Sequence, residues 1–72
     1  MINKDDYEII INKNNTYIRN YKQIISISSC NILIKMLKVI ICIKGNDLII
    51  SKMDKYDLLI KGIVKEIEIK DE

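Results

Sequence analysis

The most reactive side chains in this 72-residue chain lie in a short segment of serines and a cysteine. Ser28, Ser29 and Cys30 are nucleophile types, but nucleophilic catalysis needs an adjacent activating base. The chain contains no histidine, and nothing in the sequence identifies another partner for this segment. We therefore interpret these residues as a turn whose hydroxyls satisfy local backbone groups.

Paired carboxylates suggest a second kind of chemistry. Glu66 and Glu68 are two residues apart, and such pairs can perform acid–base catalysis or bind calcium. Lysines at 65 and 70 flank them, so a solvated strand face explains the pattern better. Gly45-Asn46-Asp47 resembles only a fragment of a calcium loop, which needs several more oxygen ligands. The sequence therefore predicts no catalytic or metal-binding residues.

The two cysteines, Cys30 and Cys42, are twelve residues apart and do not form a metal motif. A structural zinc site uses four cysteine or histidine ligands, which this chain cannot supply. We interpret both as small buried apolar residues in a reducing cytosol. A disulfide between them is possible only if the two cysteines lie on facing strands.

The only two glycines lie in a repeated tripeptide, Ile-Lys-Gly, at residues 43–45 and 60–62. Neither copy continues as a phosphate-binding loop, which needs further glycines or a lysine–serine ending. Gly45, followed by Asn46 and Asp47, predicts a tight hairpin turn. Gly62 runs directly into another apolar segment, which predicts a bulge or bend.

Short isoleucine-rich runs, separated by Asn, Asp, Gly and Ser, indicate strands throughout the chain. We predict an all-β single domain over residues 1–72, with its core at about 7–69 and seven or eight short strands. Spacing of roughly eight residues favours a sandwich or roll, with a short β-solenoid as the alternative. The predicted strands cover residues 7–12, 16–21, 23–28, 31–36, 39–44, 48–51, 58–62 and 63–70, and residues 52–57 are the predicted loop tip. Residues 32–43 are also apolar enough to form a buried helix.

Bulk composition fits a small folded protein. Hydrophobic residues make up 49% of the chain and charged residues 31%, while the net charge is only +2. No signal peptide is expected at the start, and no run approaches the roughly 20 apolar residues of a membrane span. The alternative function, a nucleic-acid-binding barrel, requires that four lysines gather on one face with the tyrosines: Lys22, Lys35, Lys38 and Lys44. The bias towards Ile, Lys and Asn, the residues of A/T-rich codons, indicates a low-GC bacterial source.

The order of the segments over residues 7–69 resembles the YabP/YqfC family of sporulation proteins. The resemblance rests on an Asn-Tyr-Lys segment, an "IxGxxLxIxxM" segment and a closing "LxIxGxIxxIxI" segment. The positions that carry it are Asn20, Tyr21, Lys22, Ile43, Gly45, Leu48, Ile50, Met53, Leu58, Ile60, Gly62, Ile63 and Ile67.

The resemblance implies a non-enzymatic role in endospore formation, in the mother-cell programme that leads to coat and cortex in a Firmicutes spore former. It implies no cofactor and no catalytic residue. It also implies a cytoplasmic protein, peripheral at the forespore membrane, with a sporulation membrane protein as partner. So much isoleucine exceeds what one small core can hide, so we expect a protein partner or a homo-oligomer.

Overall fold

The computed structural model describes residues 7–71, which form one six-stranded antiparallel sheet. The predicted all-β fold is confirmed, with six strands instead of seven or eight. The sheet order is β1-β2-β6-β5-β4-β3. In chain order the strands are β1 (Glu8–Ile11), β2 (Asn15–Arg19), β3 (Gln23–Ile27), β4 (Asn31–Lys35), β5 (Val39–Met53) and β6 (Asp57–Asp71).

The strand count is lower because two 15-residue strands each join two predicted ones. The predicted hairpin turn at Gly45-Asn46-Asp47 is wrong, since β5 runs through it. The pairing of β5 with β6 shifts between Asn46 and Ile49, and Asp47 has a positive φ of 55°. A β-bulge accepts the same left-handed backbone as a turn, so these residue types fit either structure. Gly62, with a φ of 123°, lies opposite this bulge, as its predicted role as a bend requires.

The bulges divide the long β5–β6 hairpin, and with it the sheet, into two half-sheets. The first half-sheet contains β1, β2, residues 57–61 of β6 and residues 46–53 of β5. The second half-sheet contains β3, β4, residues 39–44 of β5 and residues 63–71 of β6. Bulges bend strands and increase their twist, which lets one half-sheet fold over the other.

The core lies between the two half-sheets. Both contribute side chains that are almost completely buried, and no other layer is present among residues 7–71 to cover them. Partners across the strands share a face, as with Ile18 opposite Leu58 and Ile34 opposite Ile41. The buried cluster comprises Ile18, Ile32, Ile34, Met36, Ile41, Ile43, Leu48, Leu58 and Ile60.

The half-sheets are related by an internal pseudo-two-fold axis through the β5–β6 hairpin. Each contains a short hairpin whose second strand pairs with a long strand up to the lysine of its Ile-Lys-Gly tripeptide. Asn31 lies opposite Lys44 in β5, and Asn15 lies opposite Lys61 in β6 in the same way. Two residues that are equivalent under this symmetry are 16 positions apart in the sequence if they lie in the short hairpins and 17 positions apart if they lie in the long strands.

Backbone hydrogen bonds outside the ladders repeat under the same relation. The Gly45 N–H donates to the Cys30 carbonyl at 3.1 Å, and the Gly62 N–H donates to the Asn14 carbonyl at 3.0 Å. A second pair of bonds corresponds in the same way. The Asn20 N–H donates to the Tyr56 carbonyl at 2.7 Å, and the Met36 N–H donates to the Val39 carbonyl at 2.9 Å. The repeated tripeptide is therefore the sequence signature of this internal symmetry.

The alternative architectures predicted from the sequence do not occur in residues 7–71. Every strand pairing is antiparallel, whereas solenoid coils stack parallel strands. Residues 32–43, considered as a buried helix, form β4, a turn and the start of β5. Ile32, Ile34 and Met36 lie on one face, and all three are fully buried.

Candidate interaction surface

An apolar row crosses the outer face of the first half-sheet. Ile10 on β1 lies opposite Tyr17 on β2, which lies opposite Leu59 on β6. Their neighbours along the strands, Ile18 and Leu58, point into the core, so these three point outwards. Tyr17 is 41% exposed and Ile10 39%. Ile49, 60% exposed, lies on β5 opposite Lys61 and extends the same surface.

A shallow cleft of about 210 Å³ opens beside the apolar row, at the loop end of the β5–β6 hairpin. Leu58 and Leu59 supply apolar lining. Both signs of charge surround it, with Arg19 close to Glu8 at 3.6 Å. The cleft is lined by Tyr17, Ile18, Arg19, Lys52, Asp54, Asp57, Leu58 and Leu59. An apolar floor inside a mixed charged rim is a surface suited to a protein side chain or peptide.

The corresponding outer face of the second half-sheet is more highly charged, with Leu33, Ile40 and Cys42 lying among lysines and glutamates. Lys44 donates to Glu68 Oε1 at 2.8 Å, and Lys70 lies 3.8 Å from Glu68 Oε2. The Cys42 thiol donates to Asn31 Oδ1 at 3.0 Å beneath this pair. The hydrogen bond and charge of Lys44 lower the pKa of Glu68, and Glu68 raises the pKa of Lys44. The two half-sheets thus share a fold but present opposite surfaces.

Replacing Lys44 with glutamine should raise the pKa of Glu68 towards the usual glutamate range, because the main group that lowers it is lost. The pair stabilises the fold above the ordinary glutamate pKa, and that contribution disappears as the pH falls through the folded-state pKa of Glu68. Carboxyl ¹³C shifts across an acid titration measure the change. Lys38→Gln, in the β4–β5 turn, is the matched control and should leave Glu68 unaffected. An unchanged Glu68 midpoint in Lys44→Gln contradicts the ion pair.

The Asn-Tyr-Lys segment that carries the family resemblance is the junction between the half-sheets. Asn20 has a φ of 65°, and its N–H donates to the Tyr56 carbonyl at 2.7 Å. The Tyr21 hydroxyl donates to the Asp54 carbonyl at 2.8 Å. The Lys22 N–H then donates to the Lys35 carbonyl at 2.9 Å, just before β3 begins. This segment fastens the connection from β2 to β3 onto the loop that joins β5 to β6.

Replacing Tyr21 with phenylalanine should destabilise the fold by about 1 kcal/mol, because one hydrogen bond between the junction and the loop is lost. In a domain of this size, that loss lowers the melting temperature by roughly 4–8 °C. Thermal unfolding followed by circular dichroism measures it. Tyr56→Phe, on the exposed loop, is the control and should have a smaller effect. Equal melting temperatures for wild type and Tyr21→Phe would show that the hydroxyl contributes nothing.

Most other positions of the resemblance lie at the fold between the half-sheets or in the core, whereas Met53, at the end of β5, is 62% exposed. The Leu48 N–H donates to the Ser29 carbonyl at 2.8 Å, and the Leu48 side chain is buried. Ile50 and Ile67 pack against the core and are equivalent under the internal symmetry, lying opposite Ile60 and Ile43 respectively. Gly45 and Gly62 have no space for a β-carbon, because the Ile63 and Asp47 carbonyl groups of the opposite long strand lie against them. All of these residues except Met53 therefore have a structural role in this fold.

The reactive side chains considered in the sequence are not brought together as an active centre. Ser28 donates to the Asn31 carbonyl at 3.1 Å, as a turn hydroxyl does. Both cysteines are free. Cys42 is buried as predicted, but Cys30 is exposed because it lies in the β3–β4 turn, so that prediction is wrong. Residues 7–71 contain no group of three or more acidic, cysteine or histidine side chains that could hold a metal ion.

The arrangement of lysines and tyrosines does not support the nucleic-acid alternative. Lys44 is on the outer face of the second half-sheet, where Glu68 neutralises it. Tyr17 is on the outer face of the first half-sheet. Tyr21 bonds the β5–β6 loop, which also holds Tyr56. Lys44 and Tyr17 therefore lie on different half-sheets, so the four lysines and the tyrosines do not gather on one face as a single-strand-binding surface would require.

The fold and this surface define a class of small all-β domain with an apolar patch on one half-sheet and a charged face on the other. The family model described as the YabP family matches residues 3–72. The chain therefore belongs to the YabP family, and this membership suggests a sporulation-related protein. Comparisons with curated proteins and with solved structures find no significant match. No helix within residues 7–71 is long and apolar enough to cross a membrane.

Proposed function

We propose that this protein is a non-enzymatic binding and assembly module in endospore formation, acting in the steps that build coat and cortex. Its partner is a membrane protein of the same programme, and it works on the mother-cell side of the forespore membrane. Membership of the YabP family supports the link to sporulation. The observation that carries the binding role is the apolar row with its adjoining cleft on the outer face of the first half-sheet.

The composition of this surface matches the energetic centre of a protein interface. Such centres combine an aromatic or arginine anchor with aliphatic neighbours and a polar rim. Tyr17 and Leu59 supply the centre, and Arg19 and Asp57 border it. Single exposed apolar residues are ordinary on protein surfaces, but here they form a continuous row beside a cleft.

The difference between the two half-sheets supports the same assignment. Leu33 occupies the position that corresponds to Tyr17, and its surroundings include the Asn31–Cys42 hydrogen bond and the Lys44–Glu68 pair. Two half-sheets with the same architecture thus differ mainly in what they present to solvent. We infer that the outer face of the first half-sheet is specialised for binding and that of the second for solvation.

Complementation of a deletion strain tests the proposal. Deleting the gene in its native spore former should reduce phase-bright, heat-resistant spores, and the wild-type chain should restore them. The variant Ile49→Lys places a charge on the proposed surface and should fail to restore spores. The matched control is Ile27→Lys on β3, since Ile27 is 56% exposed and Ile49 60%, so both substitutions make a similar chemical change.

Protein abundance and circular dichroism of both variants establish that each is folded. Full complementation by Ile49→Lys would contradict a binding role for this surface. Normal heat-resistant spores in the deletion strain itself would contradict the role in sporulation. Equal failure of both folded variants would show that the effect is not specific to the first half-sheet.

A further inference from the structure

The second half of β6 forms a long open edge of the sheet. On one side, residues 63–71 pair with β5, while β2 pairs only with residues 57–61. No strand within residues 7–71 pairs with the other side of residues 63–71. The outermost strands β1 and β3 are short, with four and five residues, which is a usual way to protect an edge. The open edge of β6 is longer than either of these strands and is therefore not protected by being short.

The side chains along this edge alternate between two surfaces. Ile67 and Ile69 lie opposite Ile43 and Ile41, so they point to the core side. Ile69 is nevertheless 53% exposed, because it stands at the rim of the core. Glu66, Glu68 and Lys70 are on the outer side. An edge with an apolar rim and both signs of charge can pair with a strand of matching pattern.

We propose that the β6 edge binds the same edge of a second copy of this chain, in antiparallel register about a two-fold axis at Glu68. Glu66 of each copy then lies opposite Lys70 of the other. Ile67 of each copy lies opposite Ile69 of the other. The two second half-sheets join into one continuous eight-stranded sheet.

Charge complementarity selects this register. A two-fold axis perpendicular to the sheet keeps each face on the same side, so only registers centred on a residue are allowed. Centring the axis on Ile67 places Glu66 opposite Glu68, a like-charge pair. Centring it on Glu66 extends the pairing into the bulge at Lys65 and leaves Glu68 and Lys70 without an opposite charge. Centring it on Ile69 places Glu68 opposite Lys70 but Ile67 opposite Asp71. The axis at Glu68 instead pairs Glu66 with Lys70 and Ile67 with Ile69, so it matches both the charged and the apolar side chains.

The meeting of the two Glu68 side chains at the axis is compensated within each copy. Lys44 bonds Glu68 at 2.8 Å, and Lys70 lies 3.8 Å away. Each copy therefore brings two lysines and two glutamates to the centre of the interface. The proposal does not depend on the partner-binding surface, which lies on the other half-sheet.

Sedimentation velocity of the full chain, from micromolar to millimolar concentration, tests the dimer. The wild type should pass from monomer to dimer. Glu66→Lys and Lys70→Glu each replace two attractive pairs with two repulsive ones and should weaken the dimer about tenfold or more. The double variant Glu66→Lys/Lys70→Glu restores opposite charges in the same register and should regain dimerisation.

Two results would overturn the proposal. One is a wild type that stays monomeric throughout the concentration range, in which case the charges keep the edge apart. The other is a dimer that neither single variant weakens, which would place the contact elsewhere. The two proposals can fail separately. A dimer-edge variant that loses the dimer but still forms spores, or an Ile49→Lys variant that keeps the dimer but forms no spores, shows that the dimer interface and the partner surface act independently.

Disulfide capture tests the register itself. Only residue 68 meets its own counterpart at the axis, where paired Cα atoms lie about 4.5–5.5 Å apart, within reach of a disulfide. The substitution Glu68→Cys, in a background carrying Cys30→Ser and Cys42→Ala, should give a covalent dimer under mild oxidation. Glu66→Cys in the same background should not. Equal cross-linking of both variants, or efficient cross-linking of Glu66→Cys alone, would contradict the register.

Discussion

Replacing Gly45 with alanine should destabilise the protein by about 3 kcal/mol, because a β-carbon has no space there. An added Cβ would meet the Ile63 carbonyl oxygen and also lie 3.0 Å from Val64 Cα, both part of the opposing β6 backbone. Backbone atoms in a paired strand cannot move aside without breaking the ladder. A domain of this size has a total stability of roughly 4–11 kcal/mol, so Gly45→Val should leave much of the protein unfolded.

The corresponding change at Gly62 should have a similar effect for two reasons. A Cβ would lie 2.5 Å from the Asp47 carbonyl oxygen, and the φ of 123° disfavours any side chain. Urea unfolding followed by circular dichroism measures both variants. Ser51→Ala, on an exposed position of β5, is the control and should change stability by less than about 0.5 kcal/mol. A Gly45→Ala protein as stable as this control would show that β5 and β6 do not approach as described.

Replacing Ile43 or Ile60 with alanine should each cost about 2–5 kcal/mol, because both side chains are completely buried in the core. The two residues precede the two Ile-Lys-Gly glycines by the same interval and are equivalent under the internal symmetry. One belongs to the second half-sheet and the other to the first. If the two half-sheets enclose one shared core, the two substitutions should therefore lower the free energy of unfolding by similar amounts.

Ile49→Ala provides the control for these core variants, because Ile49 is exposed and its removal should cost less than about 1 kcal/mol. Urea unfolding on the three variants measures the differences. A loss below about 1 kcal/mol for Ile60→Ala, with a large loss for Ile43→Ala, would contradict the shared core. It would show that the first half-sheet packs only weakly on the second.

Most strand positions were predictable because isoleucine alternation and polar breaks report local structure. The number of strands was not, because Gly45-Asn46-Asp47 contains residues that suit both a turn and a bulge. Whether the chain reverses there or continues depends on the pairing of residues 39–44 and 46–53 with different parts of β6. That pairing is set by distant contacts, which a local pattern does not contain.

The internal symmetry was present in the sequence but weak. Asn15 and Arg19 correspond to Asn31 and Lys35, sixteen residues later, and the Ile-Lys-Gly tripeptides are seventeen residues apart. A search for repeats with a one-residue offset between segments would have found it. The apolar row was not predictable, because Ile10, Tyr17 and Leu59 meet only once the order of β1, β2 and β6 in the sheet is known.

The most direct test of the proposed binding surface is site-specific photo-cross-linking in sporulating cells. A photoreactive residue at Tyr17 should give one discrete adduct in the membrane fraction. The same residue at Ile27 should give none, although Ile27 is the more exposed of the two positions. No adduct at Tyr17, or the same adducts at both positions, would contradict the assignment of the first half-sheet as the surface that binds a membrane partner.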